Sequence, residues 1–352
     1  MSGGLVRRWR VVARPAGGEG GDMGWIAVDR AEAGDDRMSQ RMPGPYAHLT
    51  LVQLLRSRLA AGAFPGLSAE ARAAVARSTA FCELGAFGPD TSYFAMAQPG
   101  SARWGDLQHK GGAMRVLLLG ARALRPIAPD ERRRRLAWLL GYASHVVADA
   151  VVHPIIEHLV GDYTASRETY DRHRQAELHQ DVFIYRHLGL DEVGKAAHMR
   201  AIAGQCRGAG GEVLDRGVAA LWTRCLEGAY SERPAGHGPS PERWFAAFHG
   251  MIDLADESHH LTFLRGLLDH RGVVFPLLSE VNPAFVRGLW TPAGRQDYDV
   301  IFARVVEETG RMWVDVADAV AGDEAALVAR PDLNLNTGKV IPAGFALWGP
   351  PA

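Results

Sequence analysis

An all-α fold follows from three features of the sequence. Beyond Met42, apolar residues recur at three- and four-residue spacing, as on one face of a helix. Several stretches are rich in alanine or in continuous apolar residues of helix-favouring composition. No stretch alternates apolar and polar residues as a half-buried strand does, and there is no internal repeat or low-complexity tract.

Residues 1–41 are rich in Gly, Arg and Asp and lack periodicity, so they read as a poorly ordered extension, with the functional chain expected to begin near Met42. Residues 48–60 (HLTLVQLLRSRLA) form a short amphipathic helix, and residues 68–80 an Ala-rich one. Gly85, Gly88 and Pro89 interrupt residues 84–97, which read as a loop carrying Asp90. Residues 112–123 and 128–152 are strong helices. The second is nearly uncharged after Arg135 and so reads as the buried central helix. Pro154 is expected to end or kink it, because proline disfavours the α conformation at the preceding residue. Helical patterns follow at 166–187, 195–227, 241–269 and 298–319, and residues 331–352 read as an irregular tail. The expected domain therefore spans residues 42–330.

With 352 residues and 47% hydrophobic content, the chain can bury a sizeable core. A net charge of −1 carries no electrostatic footprint of a nucleic-acid binder. The three cysteines, Cys82, Cys206 and Cys225, form no C-x-x-C pair, which argues against a disulfide framework and a cysteine-held zinc site alike. Any metal must then be held by histidines and carboxylates. No uninterrupted apolar run reaches the roughly 18 residues of a membrane span. No secretory apolar segment follows Arg7, Arg8 and Arg10 either, so the expected location is cytoplasmic. Oligomeric state is not legible.

The 14 histidines matter through their arrangement. In GYASHVVADAVVHP, His145, Asp149 and His153 follow one another at four-residue intervals. At about 100° per residue they share one stripe of an otherwise apolar helix. Three ionisable groups there are costly to bury unpaired, and a bound cation removes the cost; a hydrogen-bonded His–Asp pair that only organises the core is the plainer alternative. A second stripe, His173, Glu177 and Asp181, repeats the spacing in YDRHRQAELHQDVF. Alone it reads as a solvated polar face; beside the first, it suggests two helices directed at one centre. His158 and His179 lie off these stripes. His48 opens the first helix, Asp90 follows the turn GAFGP, and His109 precedes a helix in ARWGDLQHK.

Taken together, the order His48, Asp90, His109, His145-x-x-x-Asp149, His173-x-x-x-Glu177 resembles the zinc-dependent phospholipase C family and the related single-strand nucleases, over roughly residues 42–185. The resemblance implies an all-α multi-helix bundle with about three zinc ions in a cleft. It implies a metal-bridging role for Asp149, and for Asp90 a ligand that also serves as general base. His48 and His145 would be ligands in separate positions, and His173 and Glu177 would hold another metal. It further implies hydrolysis of a phosphoester by activated water, on a phospholipid headgroup or a small phosphoester. Two departures stand out. The secreted relatives use an N-terminal tryptophan as ligand, which this chain lacks; were Met42 removed, the Pro43 amine would come close before His48. The histidine after Asp149 comes only four residues on, so His153 fits the helix face as a ligand or as a support of one.

Trp222, Trp244, Phe245, Phe248 and Trp290 are candidates to line the cleft, although aromatics at helical spacing are more often core. A di-iron protein would need two Glu-x-x-His motifs, and only Glu257-x-x-His260 is present. An adjacent His-Asp pair and H-E-x-x-H are both absent. The alternative from another class is a non-catalytic helical scaffold with a structural or relic metal site.

Overall fold

The computed structural model describes residues 44–95, 97–162, 165–189, 197–231, 234–257, 275–340 and 344–348. The N-terminal extension, Met42, Pro43, His259, His260 and His270 lie outside the described residues. Those described all belong to one compact unit, built from helices α1 (Pro45–Ala60), α2 (Ala69–Arg77), α3 (Thr79–Ala86), α4 (Thr91–Phe94), α5 (Ser101–Lys110), α6 (Ala113–Leu124), α7 (Pro129–Val160), α8 (Arg167–Tyr185), α9 (Ala197–Gln205), α10 (Arg216–Ala229), α11 (Pro241–Glu257), α12 (Tyr298–Ala321) and α13 (Ala325–Ala329). The expected all-α class is what the structure shows, apart from one small hairpin in the tail.

Local chemistry sets the helix starts. Pro45 and Pro129 stand at first-turn positions, where a missing N–H costs nothing. Asp130 and Glu131 in the first turn of α7 complement its dipole. Ser166 and Thr169 cap α8 reciprocally, each side chain accepting from the other's main-chain N–H at 3.1 Å. Asp215 caps α10 by accepting from Gly217 and Val218.

Helix α7 is the axis. It packs against α1, α2, α3, α6, α8, α10 and α12. Among the described residues it alone is long and apolar enough to cross a membrane, and its apolar window is wholly buried by these neighbours. The core around it holds Trp138, Tyr142, Trp222, Trp244 and Trp313. The Trp313 indole donates to Leu140 O at 2.7 Å and Ser144 Oγ at 3.1 Å, which ties α12 to α7.

Four expectations need correction. Residues 84–97 are not a loop: α3 runs to Ala86, a 3-10 turn covers Gly88–Asp90, and α4 follows at once. Gly85 serves close approach, not chain reversal. A Cβ there would stand 2.0 Å from Trp138 O, and one at Gly141 would stand 1.8 Å from Cys82 O, so α3 and α7 cross backbone against backbone. Pro154 does not end α7, which continues to Val160. The N–H that proline lacks would have gone to Ala150 O, and Gly338 of the tail packs against that carbonyl and the proline ring. The pattern over 195–227 divides into α9 and α10, because Gly208, Gly210 and Gly211 cannot continue the helix and Asp215 restarts it. Within the tail, Leu333–Asn334 (β1) pairs antiparallel with Lys339–Val340 (β2), and Leu333, Leu335, Leu347 and Trp348 are buried.

The crossing generates a prediction. Gly141→Ala should destabilise the protein by about 3 kcal/mol, the upper end of ordinary overpacking, because its new methyl meets backbone and not a movable side chain. Gly204→Ala, in α9 with nothing within 4 Å of the new Cβ, should be neutral or stabilising. Urea denaturation midpoints of the two variants test the contrast.

Candidate metal centre

The buried stripe of α7 supplies His145, Asp149 and His153, and the surrounding helices bring partners to it in two places. The first is centred on Asp149. Its Oδ2 lies 3.1 Å from His145 Nε2 and 3.6 Å from His109 Nε2 of α5, and its Oδ1 lies 3.5 Å from His48 Nε2 of α1. Asp90, from the 3-10 turn, adds a second carboxylate, with Oδ1 3.1 Å from His109 Nε2 and Oδ2 3.8 Å from His145 Nδ1. The His48 and His145 rings stack with centroids 4.4 Å apart. All five side chains are buried, His145 completely.

The second place lies about one turn further along α7. His153 Nε2 stands 3.7 Å from Glu177 Oε1, and His173 Nε2 stands 3.1 Å from the same oxygen. Both partners come from α8. The other oxygen, Oε2, accepts from Arg174 at 3.2 Å, so one oxygen is anchored while Oε1 faces the two imidazoles.

Main-chain carbonyls aim the rings. A carbonyl only accepts, so the ring nitrogen beside it carries the proton. His145 Nδ1 donates to Ala86 O at 2.9 Å, His109 Nδ1 to Gly105 O at 2.8 Å, and His153 Nδ1 to Leu335 O at 2.5 Å. In the neutral ring each Nε2 then presents a lone pair toward the carboxylates. This is how histidine ligands are usually oriented from behind.

The donor set fits a metal. Asp90 Oδ1, Asp149 Oδ2, His109 Nε2 and His145 Nε2 are buried and form no aligned hydrogen bond, although they approach one another closely. Atoms so placed point to a shared space between them. Three groups each offer ligand atoms within 4.8 Å of one another: His48, Asp90 and His145; His109, His145 and Asp149; and His153, His173 and Glu177. Imidazole nitrogens and carboxylate oxygens are zinc donors, and burying so many unpaired would otherwise be prohibitive.

In the metal-free protein the histidines take over as counter-ions. Burial disfavours a charged His145, but Asp149 and Asp90 outweigh it and raise its pKa to about 9. His153 is likewise raised to about 9, burial being outweighed by Asp149 and Glu177. His48, buried and next to charged His145, falls to about 4. Against the opposing effect of burial, the neighbouring histidines hold Asp149 and Glu177 below the usual carboxylate range.

All eight residues expected from the sequence thus converge, in two adjoining places. The arrangement differs from expectation in detail. His48 and His145 share one group, and His145 also belongs to a second with His109 and Asp149. His153 stands with His173 and Glu177, among potential ligands. Asp181, third on its stripe, stands beside the site but caps α1, accepting from Tyr46 N at 3.1 Å and Ala47 N at 2.8 Å. Burial raises it to about 8 in spite of these bonds. His179 accepts from Asn282 N beside Phe285, and His158 stacks on Trp290.

A cleft opens over His48, Asp149, His153 and Glu177, with an apolar wall of Ala148, Val152, Ile156, Tyr298 and Phe302. The aromatic lining comes from α12. Trp222, Trp244, Phe245 and Phe248 are buried core instead, and Trp290 is half-buried against His158. Sequence reasoning also missed Arg174, whose i,i+3 spacing to Glu177 was the available signal. The supporting carbonyls of Ala86, Gly105 and Leu335 leave no side-chain signal at all.

The family model described as zinc dependent phospholipase C matches residues 47–231, more than half of the 352 residues, and the matched stretch contains all eight converging side chains. No curated protein and no solved structure matches the chain. By fold, by the family match and by the residues gathered along α7, the chain belongs to the zinc-dependent phospholipase C family.

Proposed function

We propose that this chain hydrolyses a phosphoester bond with water, using zinc ions held by His48, Asp90, His109, His145, Asp149, His153, His173 and Glu177. The observation that carries this reading is the convergence of eight buried nitrogen and oxygen ligands into three groups beside a cleft. Zinc bound there polarises phosphoryl oxygens and makes water a competent nucleophile near neutral pH.

The chain's own residues do the rest. Asp149, with imidazoles facing both of its oxygens, would hold zinc together with His48, His109 and His145. Asp90 is the general base: it accepts a proton from the attacking water through Oδ1, which forms no aligned hydrogen bond although His109 Nε2 lies 3.1 Å away. The water oxygen bonds to phosphorus as the bond to the leaving oxygen breaks, and the leaving oxygen is protonated from solvent. Ala148, Val152, Ile156 and Phe302 offer the organic part of the substrate an apolar wall. This suits a phospholipid or another phosphoester with an apolar substituent. We place the activity in the cytoplasm.

Three outcomes test the reading. Elemental mass spectrometry should find about two to three zinc ions per wild-type chain and far fewer in Asp149→Ala; a wild type without metal after zinc supply would sink the proposal. Asp90→Asn should lower turnover of a chromogenic phosphodiester roughly 100- to 10,000-fold while its melting temperature stays near wild type. A scaffold would instead show no turnover in either protein.

The third outcome concerns pH. His145 and His153 are raised in the folded protein from 6.5 to about 9. Their contribution to the stability of the metal-free protein is therefore complete below 6.5 and is lost as pH rises through about 9. Zinc needs the same rings neutral, so its binding releases protons in this window and tightens as pH rises. The gap in melting temperature between zinc-loaded and chelated protein should widen from pH 6.5 to 9. A constant gap would contradict the assignment of these histidines.

A further inference from the structure

One residue far along the chain touches a candidate ligand in each of the two places. Leu335 is fully buried. Its carbonyl accepts from His153 Nδ1 at 2.5 Å, and its N–H donates to the main-chain carbonyl of His109 at 2.7 Å. It sits between β1 and β2, in a strap pinned at both ends. Asp332 Oδ2 accepts from Gly112 N at 2.6 Å, three residues past His109. Gly338, in the left-handed region at φ +63°, packs where a Cβ would lie 2.3 Å from the Pro154 ring and 2.4 Å from Ala150 O. The strap thus grips the end of α5 that carries His109 and the turn of α7 that carries His153. It lies outside residues 47–231, the stretch that the family model covers.

We propose that this strap, Asp332 to Val340, is a positioning element of the metal centre, with the Leu335 main chain setting the orientation of His153 and the placement of His109. The inference rests on the metal reading above and deepens it. The stretch holding all eight ligands then does not suffice for full metal affinity, because the support of one ring comes from more than 100 residues beyond its end. The His153, His173 and Glu177 group is the more sensitive, since there the strap bonds to the imidazole itself. At His109 it bonds only to the backbone, and Gly105 O still holds the ring.

The test is a zinc titration of the full chain against a competing chelator, with Gly338→Ala compared with Leu327→Ala. The first variant displaces the strap by strain and collision. The second removes a buried side chain from α13, which packs on α6 and α12, and controls for general loss of stability. Loss of strap support should weaken one class of zinc sites about 10- to 100-fold, as removal of a partner behind a ligand typically does, while Leu327→Ala keeps wild-type affinities. Should Gly338→Ala fail to fold, Asp332→Ala, which frees Gly112 N, should show the same selective weakening. Wild-type affinities in the strap variants, or equal weakening in Leu327→Ala, overturn the inference and leave the metal reading standing. A wild type that binds no zinc overturns both.

Discussion

The structure depends on how charge is carried inside an apolar helix. Along its buried stretch α7 meets mostly other helices, yet it presents His145, Asp149 and His153 there. None of these can be left uncompensated in a low-dielectric interior. Two histidines beside one carboxylate do not balance by themselves, and the fold answers by delivering more of both types: His48, His109 and His173, and Asp90 and Glu177. Of the helices that bring these, α1 and α8 pack directly on α7, while α5 reaches it through α4 and the 3-10 turn that carries Asp90. The polar centre is therefore a by-product of no single element. It exists only when α1, α5, α7 and α8 are all in place.

The close crossing of α3 on α7 has its importance in this light. Gly85 and Gly141 let the two backbones touch, and the end of α3 leads within four residues to Asp90. The same approach puts Ala86 O within reach of His145 Nδ1. One pair of glycines thus serves two ends. It brings a carboxylate to the centre, and it turns the lone pair of a fully buried ring toward Asp149. The α1 side works similarly through Asp181, whose bonds to the first N–H groups of α1 fix the helix that carries His48. Residues that hold no metal decide where the ligand-type residues stand.

How far this could be read from the sequence follows from the physics of each feature. Helical periodicity is local and regular, so four-residue spacing exposed His145, Asp149, His153, His173 and Glu177 directly. Asp90 was legible as a candidate, but its setting was not: Gly85, Gly88 and Pro89 look like breakers, and only the tertiary crossing reveals Gly85 as a contact glycine inside a helix. Pro154 likewise reads as a stop or a kink. Its helix persists because packing on both sides outweighs one missing hydrogen bond, and the tail covers the carbonyl left over. Asp181 shares its stripe with two ligand-type residues, and no local signal separates a capping carboxylate from a coordinating one. Leu335 acts through main-chain atoms that every residue possesses, so no pattern of side chains could single it out.

The choice between a catalytic and a purely structural centre turns on closure. A structural zinc site is closed by four protein ligands, while a catalytic one leaves a position for water or substrate. Here each group musters three protein donors, and His145 is common to two of them, so the three groups draw on eight residues in all and none musters four. His48, Asp149, His153 and Glu177 also face the cleft, where a fourth partner can enter. A scaffold that needed metal only for rigidity would gain by closing those positions, and its core already offers carboxylates such as Asp181 nearby. That Asp181 instead caps a helix, while apolar side chains of α7 and α12 line the cleft over the open side, agrees with the hydrolytic reading proposed above better than with a centre closed for rigidity.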